Sequence, residues 1–409
     1  MQLCAVKTIR LSVAWMVVCQ NQSSLQMVLS RYDVIVIGAG ASGLSAAGAL
    51  VLRGKRVVVF DMGKTPGRKI MASGGGRCNI TNLAARYDRY FGENRDFVRS
   101  AISRVSPYDI IEWANMHNIS LVEKNVGQYF CADGAGAVLN ALMDDACGAD
   151  FVYDTTINDV RKDGDDFIVN NCVARSVIVA TGGTSFGVLG VSDVGYKIAK
   201  QFGHKIIPVR PALCALSYAG APSELAGISL EVQIRIGKNI VRDSLLFTHF
   251  GIGGPAAYRA SLYDVRDGIY IDLLPAVNVL DELRKAKIMR GRKSVAGALG
   301  QWLPARVAKW IAGDESRNIA DIKDSEIAQI AERVSKMNVP GDKIKYHNLA
   351  SAEVVRGGVD TNEVSSKTME SKLCSGLFFV GEVLDIAGDL GGFNLHWAWA
   401  SGRVAGENA

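Results

Sequence analysis

No two of the eight cysteines, Cys4, Cys19, Cys78, Cys131, Cys147, Cys172, Cys214 and Cys374, form a C-x-x-C pair. A zinc or iron–sulfur site is therefore not expected, and thiols scattered through a long chain suit a reducing compartment. An excess of one charge is also missing. Lys and Arg total 46 against 41 Asp and Glu, a formal net charge of +5, which permits contact with nucleic acid without arguing for it. The apolar stretch at residues 11–18 is too short to span a bilayer. With Lys7 and Arg10 before it and Cys19 after it, it faintly resembles a leader, but no small-residue cleavage site follows. Residues 1–30 read as an extension or a mis-assigned start, with Met27 just upstream of the first strand-like run. What remains is a globular composition, 48% hydrophobic and 21% charged over 409 residues, enough for two or three domains. A cytoplasmic protein without stable membrane association is expected.

Against those absences stands one strong pattern. Residues 33–37 (DVIVI) are a short apolar run, Gly38-Ala-Gly40-Ala-Ser42-Gly43 follows, and residues 44–52 read as a helix. In the strand–G-x-G-x-x-G–helix fingerprint, Gly38 allows the tight turn. Gly40 lets a pyrophosphate approach the backbone, and Gly43 lets helix and strand pack closely. The helix N-terminus offers free N–H groups to the phosphates. A second strand, residues 56–60, ends at Asp61, where a carboxylate would accept from a ribose hydroxyl. No second unit of this kind follows, so a separate nicotinamide-binding domain of the glutathione-reductase type is not supported.

The segment 66–82 (PGRKIMASGGGRCNITN) holds three consecutive glycines, which bury nothing and are entropically costly in a core. They suit backbone passing close to a flat ligand or to phosphates. Arg68, Lys69 and Arg77 bring positive charge there, and Ser73, Asn79 and Asn82 bring hydrogen-bonding groups. Cys78, with no cysteine near it in sequence, reads as a buried spectator. Helical patterns are expected within 97–118 and at 140–147, and strands at 157–160, 167–169 and 177–179, the last leading into Ala180-Thr181-Gly182-Gly183. From 204 to 278 the pattern turns to short β-type runs punctuated by Gly and Pro, and from 279 to 337 to helices. Arg284, Lys285, Lys287, Arg290, Arg292 and Lys293 form a basic cluster there, by default a solvated face, with anionic substrate or RNA contact the sharper alternative. Near the end, residues 376–380 form a strand that reaches Gly381-Glu382. Gly391-Gly392 then open a helix through Trp397 and Trp399. A buried terminal helix accounts for the tryptophans but leaves the glycine pair unexplained.

Taken together, GRKIMASGGGRCNITN, LLFTHFGIGGP, TMESK and GEVLDIAGDLGGFNLHWAWASG resemble the BaiN/YhiN-like family of FAD-dependent oxidoreductases, the aminoacetone oxidase-type flavoproteins, over residues 31–407. Residues 185–195 depart from the family form. The resemblance implies an α/β fold: a Rossmann-like FAD-binding domain assembled from both chain ends (31–203 and 346–409). An insert, 204–345, would hold a β-barrel-like part and a helical part. The residues expected at FAD are Gly38, Gly40, Ser42, Gly43, Asp61, Lys69, Ser73, Gly74, Gly76, Arg77, Thr181, Gly182, Gly381, Glu382, Asp385, Gly392, Phe393 and Asn394, with no metal. The implied chemistry is reduction of a conjugated carbon–carbon double bond, in a small unsaturated molecule or in RNA-borne uridine, with NADH, NADPH or another donor supplying the electrons. The alternative from another class is a binding or regulatory protein whose flavin is structural. His249, His347 and His396 are candidate proton donors by type alone.

Overall fold

The computed structural model describes residues 29–125, 127–157, 159–187, 190–220, 222–289, 293–313 and 317–409. The N-terminal extension thus lies outside the described residues except for its last two positions, as do Arg290 and Arg292 of the basic cluster. The chain divides into two compact units, one running to residue 210 and resuming at 354–409, the other comprising 211–353.

The first unit is built on a five-stranded parallel sheet. Its strands, in spatial order, are Leu377–Phe379, Ser176–Val179, Val34–Ile37, Val57–Phe60 and Asp150–Val152. The runs VIVI and VVVF are buried at every residue, as expected where helices cover both faces of a parallel sheet. In chain order the arrangement is 5-4-1-2-3, the doubly wound topology. The order reverses between Val34–Ile37 and Ser176–Val179, which pair in parallel from Val34↔Ser176 to Ile37↔Val179.

The helix Phe393–Asn408 lies on the first helix, Ala41–Leu52. Gly402 and Gly406 make that approach possible, because a Cβ on either would clash with the carbonyls of Ser42 and Ala46 respectively. Trp397 and Trp399 are buried beside it, with their indole N–H groups donating to Gly381 O (3.1 Å) and Ile80 O (2.9 Å). Among the unit's smaller sheets, two have more than two strands. One is three-stranded: Leu121–Asn125, Gln128–Cys131 and Asn79–Asn82. The other is four-stranded and includes Ser30–Arg31, so the first described strand starts at the last residue of the expected extension.

The second unit carries a seven-stranded sheet. Its centre is the hairpin Ser229–Ile236 and Asn239–Thr248, in register from Ser229↔Leu246 to Ile236↔Asn239. Its end strands are Met337–Val339 and Ile344–Tyr346. A flat sheet of seven strands would hold its ends about 29 Å apart. Five extended residues reach only about 18 Å, so the sheet curls. Among the described residues its two end strands do not pair with each other, so the expected barrel-like part is an open, curled sheet rather than a closed barrel. Helices Val279–Ile288, Val295–Leu299, Ala305–Ala312 and Asp324–Ser335 cover its core. Ile206–Ala212 pairs with Val354–Val359, outside the seven-stranded sheet. Among the described residues no helix is long and apolar enough to cross a membrane.

Candidate functional site

In a doubly wound sheet, ligands bind beyond the carboxyl ends of the strands where the order reverses. In the first unit that place is bounded by Gly38–Gly43, Asp61, Ala180–Gly182 and Gly381–Val383. Two fingerprint glycines are required by the protein itself. Gly38 takes φ +114°, and a Cβ there would clash with Ala180 O; a Cβ on Gly43 would clash with Gly38 O. Gly40 differs. Its backbone is extended (φ −87°, ψ −169°), and a Cβ would meet no atom within 4 Å. As N-cap of the first helix it provides no side-chain cap, and no acid sits in the first turn. The first-turn amides thus face an open cradle, the arrangement that takes a phosphate or diphosphate. Gly182, at φ +70°, likewise faces open space. Ser42 is buried, with its hydroxyl 2.6 Å from where a Cβ on Gly381 would fall.

The acidic groups are more committed than their sequence positions suggest. Asp61 Oδ2 accepts from Ala39 N (2.7 Å), Oδ1 accepts from Gly63 N (2.6 Å), and Arg68 lies 3.5 Å from Oδ1. Each oxygen keeps a lone pair for a further donor. Glu382 is fully engaged: Oε2 is paired with Lys69 Nζ (2.8 Å) and accepts from Gly183 N (3.3 Å). Its Oε1 accepts from Ser185 Oγ (2.9 Å) and Val355 N (2.9 Å). Lys69 is correspondingly spent on Glu382, Ser185 and Gly183 O. Asp385, 1% exposed, ties Gly357 N to Glu93 N. These three side chains brace the cradle from within.

The glycine-rich loop divides in the same way. The Ser73 hydroxyl donates to Ile70 O (2.7 Å), closing the short helix Arg68–Ala72, while Gly74 packs under Phe130. Gly75 and Gly76 face open space, and the neighbouring Arg77 guanidinium is exposed, so this stretch presents backbone and charge outward. Asn82 Nδ2 donates to Gly391 O (2.8 Å). With its amide turned to satisfy its neighbours, Asn79 accepts from Gly392 N (3.1 Å). The glycine pair therefore has a packing explanation that the sequence hid. A Cβ on Gly391 would clash with the Gln128 amide, and one on Gly392, held at φ +94°, would meet Asn79 and the Thr81 carbonyl at 2.7 Å. Asn394 folds back to Gly388, accepting from its N (2.7 Å) and donating to its O (3.1 Å). Phe393 is a core residue, edge-on to Tyr90 at 6.2 Å.

The three histidines separate cleanly. His396 is fully buried against Thr81 Oγ1 (2.8 Å), and burial pulls its pKa down to about 4, so it is a neutral core residue and not a proton donor. In the second unit, His249 is exposed, edge-on to Phe250. His347 is half-buried, stacked on Phe250 at 3.9 Å with Nδ1 2.9 Å from Ser217 Oγ, which makes it the only one of the three both oriented and accessible. The basic cluster is partly neutralised: Lys285 pairs with Glu282 and Lys287 with Asp324, each at 2.7 Å.

Three features escaped the sequence because only tertiary pairing creates them. Cys131 lies across from Cys78, its amide 3.2 Å from Cys78 O, and burial pushes the Cys78 thiol up to about 12. Ser371 of TMESK, His204 and Glu363 line up with a Ser Oγ–His Nε2 distance of 2.7 Å and a His Nδ1–Glu Oε2 distance of 3.3 Å. The row looks like a nucleophile relay, but Ser371 and His204 are buried. Ser371 Oγ already accepts from the amides of Leu373 (3.0 Å) and Cys374 (2.9 Å), so the row braces a loop. The third is Tyr196, a buried phenol on the helix Val194–Gln201.

The model of a family described as "HI0933-like protein Rossmann domain" matches residues 32–408. A protein of Escherichia coli (strain K12), "Ribosomal RNA dihydrouridine synthase", is 36% identical over 93% of this chain and 98% of its own length. One of the same name from Haemophilus influenzae is 39% identical over 91% of this chain and 97% of its own. A "3-dehydro-bile acid delta(4,6)-reductase" of Clostridium scindens is 28% identical over 91% of this chain and 98% of its own.

Proposed function

The chain belongs to the HI0933-like Rossmann-domain family of FAD-dependent oxidoreductases, and from that premise we propose that it reduces a carbon–carbon double bond conjugated with a carbonyl group, taking electrons from NADH or NADPH. The observation that carries the cofactor is Gly40: an open position at a helix N-terminus, at the reversal point of the sheet, that none of the described residues fills. FAD bound there supplies hydride chemistry. Of the chain's own residues, the amides of Gly40–Gly43 would hold the diphosphate and Asp61 would accept from the adenosine ribose. Gly182 would keep the second strand end clear. Gly75, Gly76 and the exposed Arg77 would line the open side of the site. Lys69, Glu382 and Asp385 would hold these turns in place without touching the reacting atoms.

The relatives' names support the reaction class. Forming dihydrouridine and acting as a delta(4,6)-reductase both saturate a carbon–carbon bond in conjugation with a carbonyl. A small unsaturated molecule is the first reading. A uracil base in RNA is the second, supported by the two relatives named for ribosomal RNA at 36% and 39% identity. The test is anaerobic mixing of the flavin-loaded protein with NADH or NADPH. Bleaching of the flavin absorbance is expected, followed by recovery when the true acceptor is added. A small enone and RNA from a strain lacking the protein are supplied separately, and the product is checked by mass spectrometry for a gain of two hydrogens. A flavin that neither nicotinamide can bleach would leave the structural-cofactor alternative standing.

A further inference from the structure

Tyr196 lies in the third position of the helix Val194–Gln201, only 8% exposed, and its hydroxyl has no hydrogen-bond partner among the described residues. A buried hydroxyl left unpaired is unfavourable, and such groups point to an absent water, ion or ligand. The surroundings point to a ligand. Its neighbour Gly195 is pressed so closely against the cradle that a Cβ there would clash with Thr181 Oγ1 and lie 2.8 Å from Val383. The start of this helix therefore sits on both strand ends that bound the proposed FAD site, Ala180–Gly182 and Gly381–Val383. Glu382 and Asp385 are the charged groups that act on the phenol, yet both are bonded elsewhere. Glu382 is held by Lys69, Ser185, Gly183 N and Val355 N, and Asp385 by Gly357 N and Glu93 N. Burial and those two carboxylates hold the phenol well above its ordinary range, so it stays protonated and keeps a proton to donate to an added acceptor.

We propose that the Tyr196 hydroxyl donates a hydrogen bond to an oxygen of bound FAD, a cofactor contact from outside the glycine-rich motifs. The inference rests on the FAD reading above. It is tested with Tyr196→Phe, which removes one oxygen and nothing else, by titrating flavin-free wild type and variant with FAD and following fluorescence. The dissociation constant is expected to rise about tenfold, the loss of one well-placed hydrogen bond. Thermal unfolding gives a second readout that a structural role would not produce. Flavin-free Tyr196→Phe should melt no lower than flavin-free wild type, while its stabilisation by saturating FAD should be smaller. An FAD affinity within twofold of wild type would overturn the proposal, as would a variant already destabilised without FAD, which would place the hydroxyl in a buried water network. If wild type itself takes up no FAD, the cofactor reading fails first, and the two failures are told apart by that control.

Discussion

The three fingerprint glycines can be separated by substitution, since the structure gives each a different reason to lack a side chain. At Gly40 the backbone is extended and a Cβ meets nothing within 4 Å. Gly40→Ala should therefore leave the flavin-free protein intact. It should even raise stability by about 0.4–1 kcal/mol, because alanine has less unfolded-chain freedom to lose; in melting temperature that is about 1–3 °C. FAD binding should suffer all the same, since the methyl would stand where a diphosphate needs the first-turn amides. Contacts of that kind contribute up to about 2 kcal/mol, so the dissociation constant should rise by about 10- to 30-fold. Gly43→Ala should behave in the opposite order. Its methyl would clash with the Gly38 carbonyl, forcing helix and strand apart at a cost of about 1–3 kcal/mol. The flavin-free protein should then melt roughly 2–10 °C lower. The assay is a pair of measurements on each variant, thermal unfolding without flavin and FAD titration by fluorescence. If Gly40→Ala binds FAD as tightly as wild type, or melts as low as Gly43→Ala, the open position at Gly40 is not a ligand's place and the reasoning fails.

Stability should also depend on pH through His396. Its folded pKa of about 4 lies below the unfolded value near 6.5, so the neutral ring stabilises the fold above pH 6.5, and that contribution, up to about 3 kcal/mol, is lost as pH falls toward 4. Urea unfolding at pH 7 and pH 5 should show a smaller difference in His396→Gln than in wild type; an equal difference would remove His396 as the cause. Gly402→Val should destabilise the first unit by at least about 1–3 kcal/mol, because it pushes the last helix off Ser42. Unchanged thermal unfolding would mean the two helices can separate freely. Lys69→Met should lower the melting temperature and leave Glu382 without its ammonium partner, and Glu382→Gln in the same background should recover part of the loss. A double-mutant cycle with no coupling would show that the pair contributes nothing.

Local patterns carried the central frame without help. The runs VIVI and VVVF, the spacing of Gly38, Gly40 and Gly43, and the acid at Asp61 report short-range facts. These are a strand buried on both faces, a turn that only glycine can take, and a helix start with open amides. The placing of the C-terminal strand beside them was legible too, since Gly376 to Glu382 repeats the strand-to-turn pattern. What tertiary structure alone decided was the employment of the polar groups. Glu382, Lys69, Asp385 and Asn394 have the residue types of cofactor ligands, but partners up to 313 residues away in sequence have claimed them as braces. Gly391 and Gly392 are glycines because Gln128 and Thr81 come to lie against them. Conversely, Tyr196 carries no motif, and its unpaired hydroxyl becomes visible only once a helix is laid across two strand ends. The curl of the seven-stranded sheet was equally hidden, since it follows from which strands pair and not from the pattern within any one of them. Hydrogen-bond satisfaction and close packing are properties of neighbours in space, so a single chain's periodicity specifies which surfaces will be buried and leaves open which side chains will meet there.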